Sequence, residues 1–271
     1  DILSEEICKA AVNSDAYTLK SIPEKFLTRE LCLAAFGKDP GTIQYIPAEY
    51  ITETMALKAV CEYGGDLHHI PETLRTKQVC LAAVKTDGYA DIEDVPLAVL
   101  DKEIILAYFP HLKFRFHELN KIPKSFWDYD VCLAAVKAGG DDLQYVPTEL
   151  MDSAMCKAAV MQTPWAVKFV PETLFSEEIA LAAVRKNRDC IQYIPKSALT
   201  ADVCFQAIQS GRDTSSSVLK YVPPEILTQE MCDLAVEKTP HSIRDVPDKF
   251  ITENLLLSVN SSLCGLSPLK F

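Results

Sequence analysis

The sequence predicts an all-α fold, an α-solenoid of about ten to eleven 24-residue helix-pair repeats running through residues 1–271, on three observations. Prolines recur at Pro23, Pro47, Pro71, Pro96, Pro123, Pro147, Pro171, Pro195, Pro223 and Pro247, at intervals of 24, 24, 25, 27, 24, 24, 24, 28 and 24 residues, and each follows Ile or Val. Fifteen residues before most of them one slot is held by Cys8, Cys32, Cys132, Cys156 or Cys232, with Ala56 and Ala180 in the same place; Cys80 and Cys204 hold it where an insertion stretches the unit. Three residues after the slot the pattern gives an alanine in every unit (Ala11, Ala35, Ala59, Ala83, Ala107, Ala135, Ala159, Ala183, Ala207, Ala235), followed by a larger apolar residue, usually Val.

Each element of the unit has a local reason. In residues 28–50 the unit reads Thr28-Arg-Glu-Leu-Cys32-Leu-Ala-Ala35-Phe, then Pro40-Gly-Thr-Ile-Gln-Tyr-Ile-Pro47, then Ala-Glu-Tyr50. The opening Thr or Ser can accept hydrogen bonds from the free N–H groups of a helix start. Acidic residues such as Glu5, Glu30, Glu53 and Glu177 follow in the first turn, where the helix dipole favours negative charge. An apolar residue before the cap (Leu27, Ile51, Leu199, Leu227) is placed to staple onto the first turn. This predicts a helix of about ten residues that ends at Gly, Asp or Pro. The second piece spaces its apolar residues three apart and predicts a short second helix. The Pro-x-x-Phe/Leu that follows is the turn into the next copy. A single pair cannot bury its own apolar face, whereas stacked copies can. The alanine column lets neighbouring helices approach to about 8 Å.

The words Leu81-Ala-Ala-Val84 with Gly88 and Val95-Pro96, and Leu133-Ala-Ala-Val136 with Leu143-Gln-Tyr-Val146-Pro147, carry a resemblance. The chain resembles bacterial domain-of-unknown-function helical repeats marked by Leu-Ala-Ala-Val, Gly and Leu-x-x-Val-Pro, and the resemblance covers essentially all of it. It implies the helical-repeat fold and a bacterial setting, with some such arrays found in proposed secreted effectors. It brings no catalytic residues.

Composition narrows the function classes. A net charge of −11 and a pI near 5.0 argue against a nucleic-acid partner, whose phosphates need a basic face, and against an anionic membrane surface. No apolar run approaches the roughly 20 residues of a membrane span. The opening Asp1-Ile-Leu-Ser4 lacks an initiator Met, so a piece of a longer protein is expected. Most of the ten cysteines are one repeated structural slot, which explains them as small buried hydrophobes and points to a reducing compartment: cytoplasmic, or the host cytoplasm for a secreted effector. Same-slot cysteines on neighbouring helices stand too far apart for disulfides, and no pair has zinc-ligand spacing. His68-His69, adjacent on a helix, are expected to diverge by about 100° on the surface. Asp141-Asp142 and Glu177-Glu178 read as ordinary helix-end charges. No cofactor, no metal and no catalytic residue are expected.

Candidate functional residues lie where the array departs from itself, or where one column keeps a chemistry. The divergent unit at 101–126 places Ile104 in the Cys position and carries the basic, aromatic stretch Phe114, Arg115 and Phe116, read as a contact surface for an acidic or aromatic partner or as a turn burying its own phenylalanines. The unit at 251–271, with Val259 where alanine is expected, reads as a capping unit. Two residues before the proline, Tyr145, Phe169, Tyr193 and Tyr221 are aromatic in four consecutive units, beside Gln144, Lys168, Gln192 and Lys220. This ladder is placed to grip an extended peptide; its alternative role is packing between units. The expected function is a non-enzymatic, monomeric protein–protein interaction scaffold binding a protein or extended peptide. The alternative is a structural spacer or targeting arm for a catalytic domain outside this segment.

Overall fold

The computed structural model describes residues 4–112, 117–210 and 217–263. Among the described residues every regular element is helical, and no strand occurs. Eleven α-helices follow one another: α1 (Glu5–Ser14), α2 (Arg29–Lys38), α3 (Glu53–Glu62), α4 (Lys77–Thr86), α5 (Lys102–Tyr108), α6 (Tyr129–Ala138), α7 (Ser153–Gln162), α8 (Glu177–Lys186), α9 (Ala201–Gln209), α10 (Gln229–Lys238) and α11 (Glu253–Leu263). The predicted caps are present. Ser4, Thr28, Thr52, Thr76, Ser176, Thr200, Thr228 and Thr252 each accept the N–H three residues on at 3.2–3.4 Å. Asp101, Asp128 and Asp152 do the same at 2.7–3.0 Å.

The second piece of the unit is a 3₁₀ helix: Ala16–Ser21, Pro40–Tyr45, Gly64–His69, Gly140–Tyr145, Pro164–Phe169, Arg188–Tyr193 and Pro240–Asp245. With three residues per turn, apolar side chains three apart fall on one line. Ile43 and Ile46 accordingly bury together. The proline that follows has no N–H to extend the run. Where the proline spacing is stretched, this helix shrinks to Ile92–Asp94, Glu118–Lys121 and Leu219–Tyr221.

The chain divides into two compact units, Asp1–Ala134 and Ala135–Phe271. In the first, α1 packs on α2, α3 on α4 and α4 on α5; in the second, α7 packs on α8, α8 on α9, α9 on α10 and α10 on α11. Each of α2, α3, α4, α8, α9 and α11 also packs on the 3₁₀ helix before it. The core is a set of columns: Leu31, Cys32, Ala35 and Phe36 in α2 recur as Met155, Cys156, Ala159 and Val160 in α7, all buried. Among the described helices, α1 and α11 depart from these columns: in α1 Ile7, the residue before the Cys slot, is 46% exposed while Cys8 is buried, and in α11 Leu255 is buried while Leu256, in the Cys slot, is 47% exposed.

The divergent unit corrects the sequence register by one residue. The Asp101 cap accepts from Ile104, as Thr28 does from Leu31. Ile105, not Ile104, is therefore the equivalent of Cys32. Tyr108 takes the alanine slot and Phe109 the slot after it, with both rings buried, while Ala107 is only half-buried. The tyrosine is tolerated there because α5 stops at Tyr108 and its hydroxyl donates to Glu118 Oε2 at 2.5 Å.

Candidate functional site

In the second unit the predicted ladder comes from one position of successive 3₁₀ helices. The proline two residues later and the buried residue two before (Leu143, Val167, Ile191, Leu219) fix the backbone, so the intervening ring points off the core. Tyr145, Phe169 and Tyr221 are half-buried and Tyr193 is 42% exposed, whereas Gln144, Lys168, Gln192 and Lys220 are exposed. The 140–145, 164–169 and 188–193 helices pack in series, which brings the column together. Tyr193 meets Trp165 edge-to-face at 5.9 Å between centroids, and the Tyr221 hydroxyl lies 3.5 Å from Gln192 Oε1. Lys168 Nζ sits 4.7 Å from the centre of the Phe169 ring, and Lys220 Nζ 4.9 Å from that of Tyr221, both in cation–π range. Trp165, four residues before Phe169 and 37% exposed, belongs to this face. The proline −2 column does not contain it; the signal in the chain was a tryptophan directly after Pro164, which opens the 3₁₀ helix of that unit.

The other predicted patch, Phe114, Arg115 and Phe116, lies outside the described residues. Its neighbours form a charge cluster instead. Lys121 Nζ lies 3.0 Å from Asp91 Oδ2, 3.4 Å from Glu118 Oε2 and 3.7 Å from Glu93 Oε2. Burial opposes the Lys121 charge, but bonds and charges from Asp91 and Glu118 outweigh it and raise its pKa.

Five residues before the proline, a column is buried yet polar in many units: Thr42, Asp66, Glu118, Asp142 and Ser242. The sequence pattern did not single it out, because these residues alternate with Ala166, Cys190 and Val218 in a slot that any small or satisfied side chain fills. Asp66 is 4% exposed, and among the described residues its Oδ2 has no hydrogen-bond partner. Burial first, then Asp39 and Asp87, push its pKa up to about 6 against the opposing charge of His68. The carboxylates of the second cited pair behave as structure: Glu177 accepts from Thr200 at 2.5 Å and Glu178 pairs with Lys157. Asp142 of the other pair is core, 2% exposed.

Burial makes several of the thiols poorly suited to nucleophilic chemistry. Burial pushes Cys80, Cys132, Cys156 and Cys204 up to about 11 and Cys190 to about 12, so the thiolate is scarce near neutrality. Nine described cysteines are free, and of these only Cys61 is exposed. Among the described residues no group of three or more His, Cys, Asp or Glu is arranged to hold a metal ion. His68 is exposed as expected but His69 is half-buried, and their rings approach to 3.6 Å rather than diverging. No described helix is long and apolar enough to cross a membrane.

A family model described as "Domain of unknown function (DUF4116)" matches residues 152–197, from the cap of α7 to just beyond the 3₁₀ helix that follows α8. The match therefore spans α7 and α8 with the 3₁₀ helices that follow them and includes Trp165, Lys168, Phe169, Gln192 and Tyr193. No curated protein and no solved structure matches the chain.

Proposed function

We propose that the chain is an α-solenoid of stacked helix-pair repeats acting as a non-enzymatic protein-interaction scaffold, with the Tyr145–Tyr221 face as its binding surface. The observation that carries this reading is a column of partly exposed rings, repeated in four units, with lysines stacked on two of them. Large planar side chains with few rotatable bonds supply contact area at low ordering cost. A column recurring every unit suits an extended peptide better than a small molecule. The solenoid reading is supported by the repeating order of α and 3₁₀ helices and by the serial packing within each unit. From the family resemblance we place the scaffold in a larger bacterial protein, with a secreted effector acting in the host cytoplasm as its setting. Buried thiols repeated along the array suit a reducing compartment.

The test is a parallel capture from bacterial and eukaryotic lysates, using the chain and a variant with Tyr145→Ala, Phe169→Ala, Tyr193→Ala and Tyr221→Ala whose helicity is checked by circular dichroism. A partner retained by the first bait and lost by the folded variant supports scaffold and face together. Equal retention moves the binding surface elsewhere. No partner in either lysate counts against the scaffold and for a spacer.

A further inference from the structure

The aromatic face is edged by a second column, one residue earlier in the same units, Gln144, Lys168, Gln192 and Lys220, and Arg244 continues it in the next unit beside Asp245. All five are exposed. In a chain of net charge −11 the column from Gln144 to Lys220 holds two cations and no acid, and Arg244 adds a third beside Asp245, a local reversal of sign along the aromatic face. Lys168 and Lys220 lie over Phe169 and Tyr221, so the charge is fixed beside the rings rather than spread into solvent. Gln144 and Gln192 donate their amides to the carbonyls of Asp141 and Asp189 at 2.9 and 3.0 Å, which holds each carboxamide against its own turn.

From this juxtaposition we infer that the occupant of the face is an extended acidic peptide in polyproline II conformation, with a carboxylate at about every third residue. The inference rests on the proposed binding surface and deepens it. Helix-stacked units repeat at about 8–10 Å. A polyproline II chain rises about 3.1 Å per residue with three residues per turn, so a side chain returns to the same side after about 9 Å. A carboxylate opposite Lys168 is then followed, three residues on, by one opposite Gln192, and later by ones opposite Lys220 and Arg244. Of the two residues between carboxylates, one faces the aromatic column, where a proline ring docks well on tyrosine or phenylalanine, and the other faces solvent. A basic peptide meets like charge on the same column.

The test uses the full chain and four labelled probes followed by fluorescence anisotropy: (Glu-Pro-Pro)5, (Gln-Pro-Pro)5, (Lys-Pro-Pro)5 and a peptide of the first composition with its glutamates in one block. Two variants accompany it, the four-alanine aromatic variant and Lys168→Glu with Lys220→Glu and Arg244→Glu; Gln replaces Glu if circular dichroism shows the latter misfolded. We expect the Glu-Pro-Pro probe to bind about tenfold tighter than the glutamine probe, to lose about tenfold on charge reversal, and to weaken with added salt. Equal binding of the glutamine probe, or no effect of charge reversal, overturns the acidic occupant. If that binding is still lost in the aromatic variant, the face itself stands. Equal binding of the block peptide overturns the three-residue spacing. Binding of none of the probes overturns both the inference and the face as a peptide site.

Discussion

At Asp66 a carboxylate sits in the core with its Oδ2 unsatisfied among the described residues. Its folded pKa of about 6 lies above the ordinary 3.8. Between about pH 4 and 6 the folded state therefore holds more protons than the unfolded one, so stability falls as pH rises through that window. The deficit is complete above about pH 6 and reaches about 3 kcal/mol. Urea unfolding at pH 4.5 and 7.5 is expected to show Asp66→Asn gaining clearly more over the parent at the higher pH; equal gains at both would mean that ionisation is not the cause. Tyr108 is the second residue whose role differs from its column. Tyr108→Phe removes the donor to buried Glu118 and is expected to cost about 1–3 kcal/mol, read from the shift in urea midpoint.

Among the elements, the tightest constraint is where a 3₁₀ helix meets the C-terminal end of the next α-helix. A Cβ on Gly140 would lie 2.3 Å from the Ala159 carbonyl oxygen, and one on Gly64 2.3 Å from that of Ala83. Backbone cannot yield as a flexible side chain does. Gly140→Ala is therefore expected to lose about 1–3 kcal/mol despite removing a flexible residue, whereas Gly37→Ala in α2, with nothing within 4 Å, should gain about 0.5–1 kcal/mol. Thermal melts of both variants check the pair. Between helix starts, exposed ion pairs form rungs: Lys9 to Glu30, Lys77 to Asp101 and Glu103, Lys102 to Asp128 and Asp130, Lys157 to Glu178. Water and salt screen such pairs, so they contribute to register more than to stability.

Over the whole molecule, the repeated cysteine slot makes a set of internal probes. Cys8, Cys32, Cys80, Cys132, Cys156, Cys204 and Cys232 are each at most 2% exposed, while Cys61 is exposed. Alkylation followed by peptide mapping is expected to modify Cys61 at once and the slot cysteines only as their helices open. If stability is carried by nearest-neighbour packing, as in repeat arrays, the slot cysteines should react at graded rates rather than together. A single common rate would mark one cooperative unit and speak against the solenoid.

The repeat period, the helix caps and the buried columns were legible in the chain itself, because each rests on contacts within a few residues or on a slot copied many times. Thr28 caps α2 and Cys32 buries beneath it for reasons that residues 28–36 already contain. The aromatic column was legible for the same cause, as a position and not as an occupied site. What the tertiary structure decided depends on which neighbour stands opposite. The register of α5 turned on Asp101 acting as a cap, so that Tyr108 and not Ala107 entered the core. Trp165 joined the ladder through its contact with Tyr193, and Asp66 became a strained carboxylate through burial and the charges of Asp39 and Asp87. Periodicity specifies which face of an element is buried; only packing specifies what that face meets, and charge and polarity take their cost from what they meet.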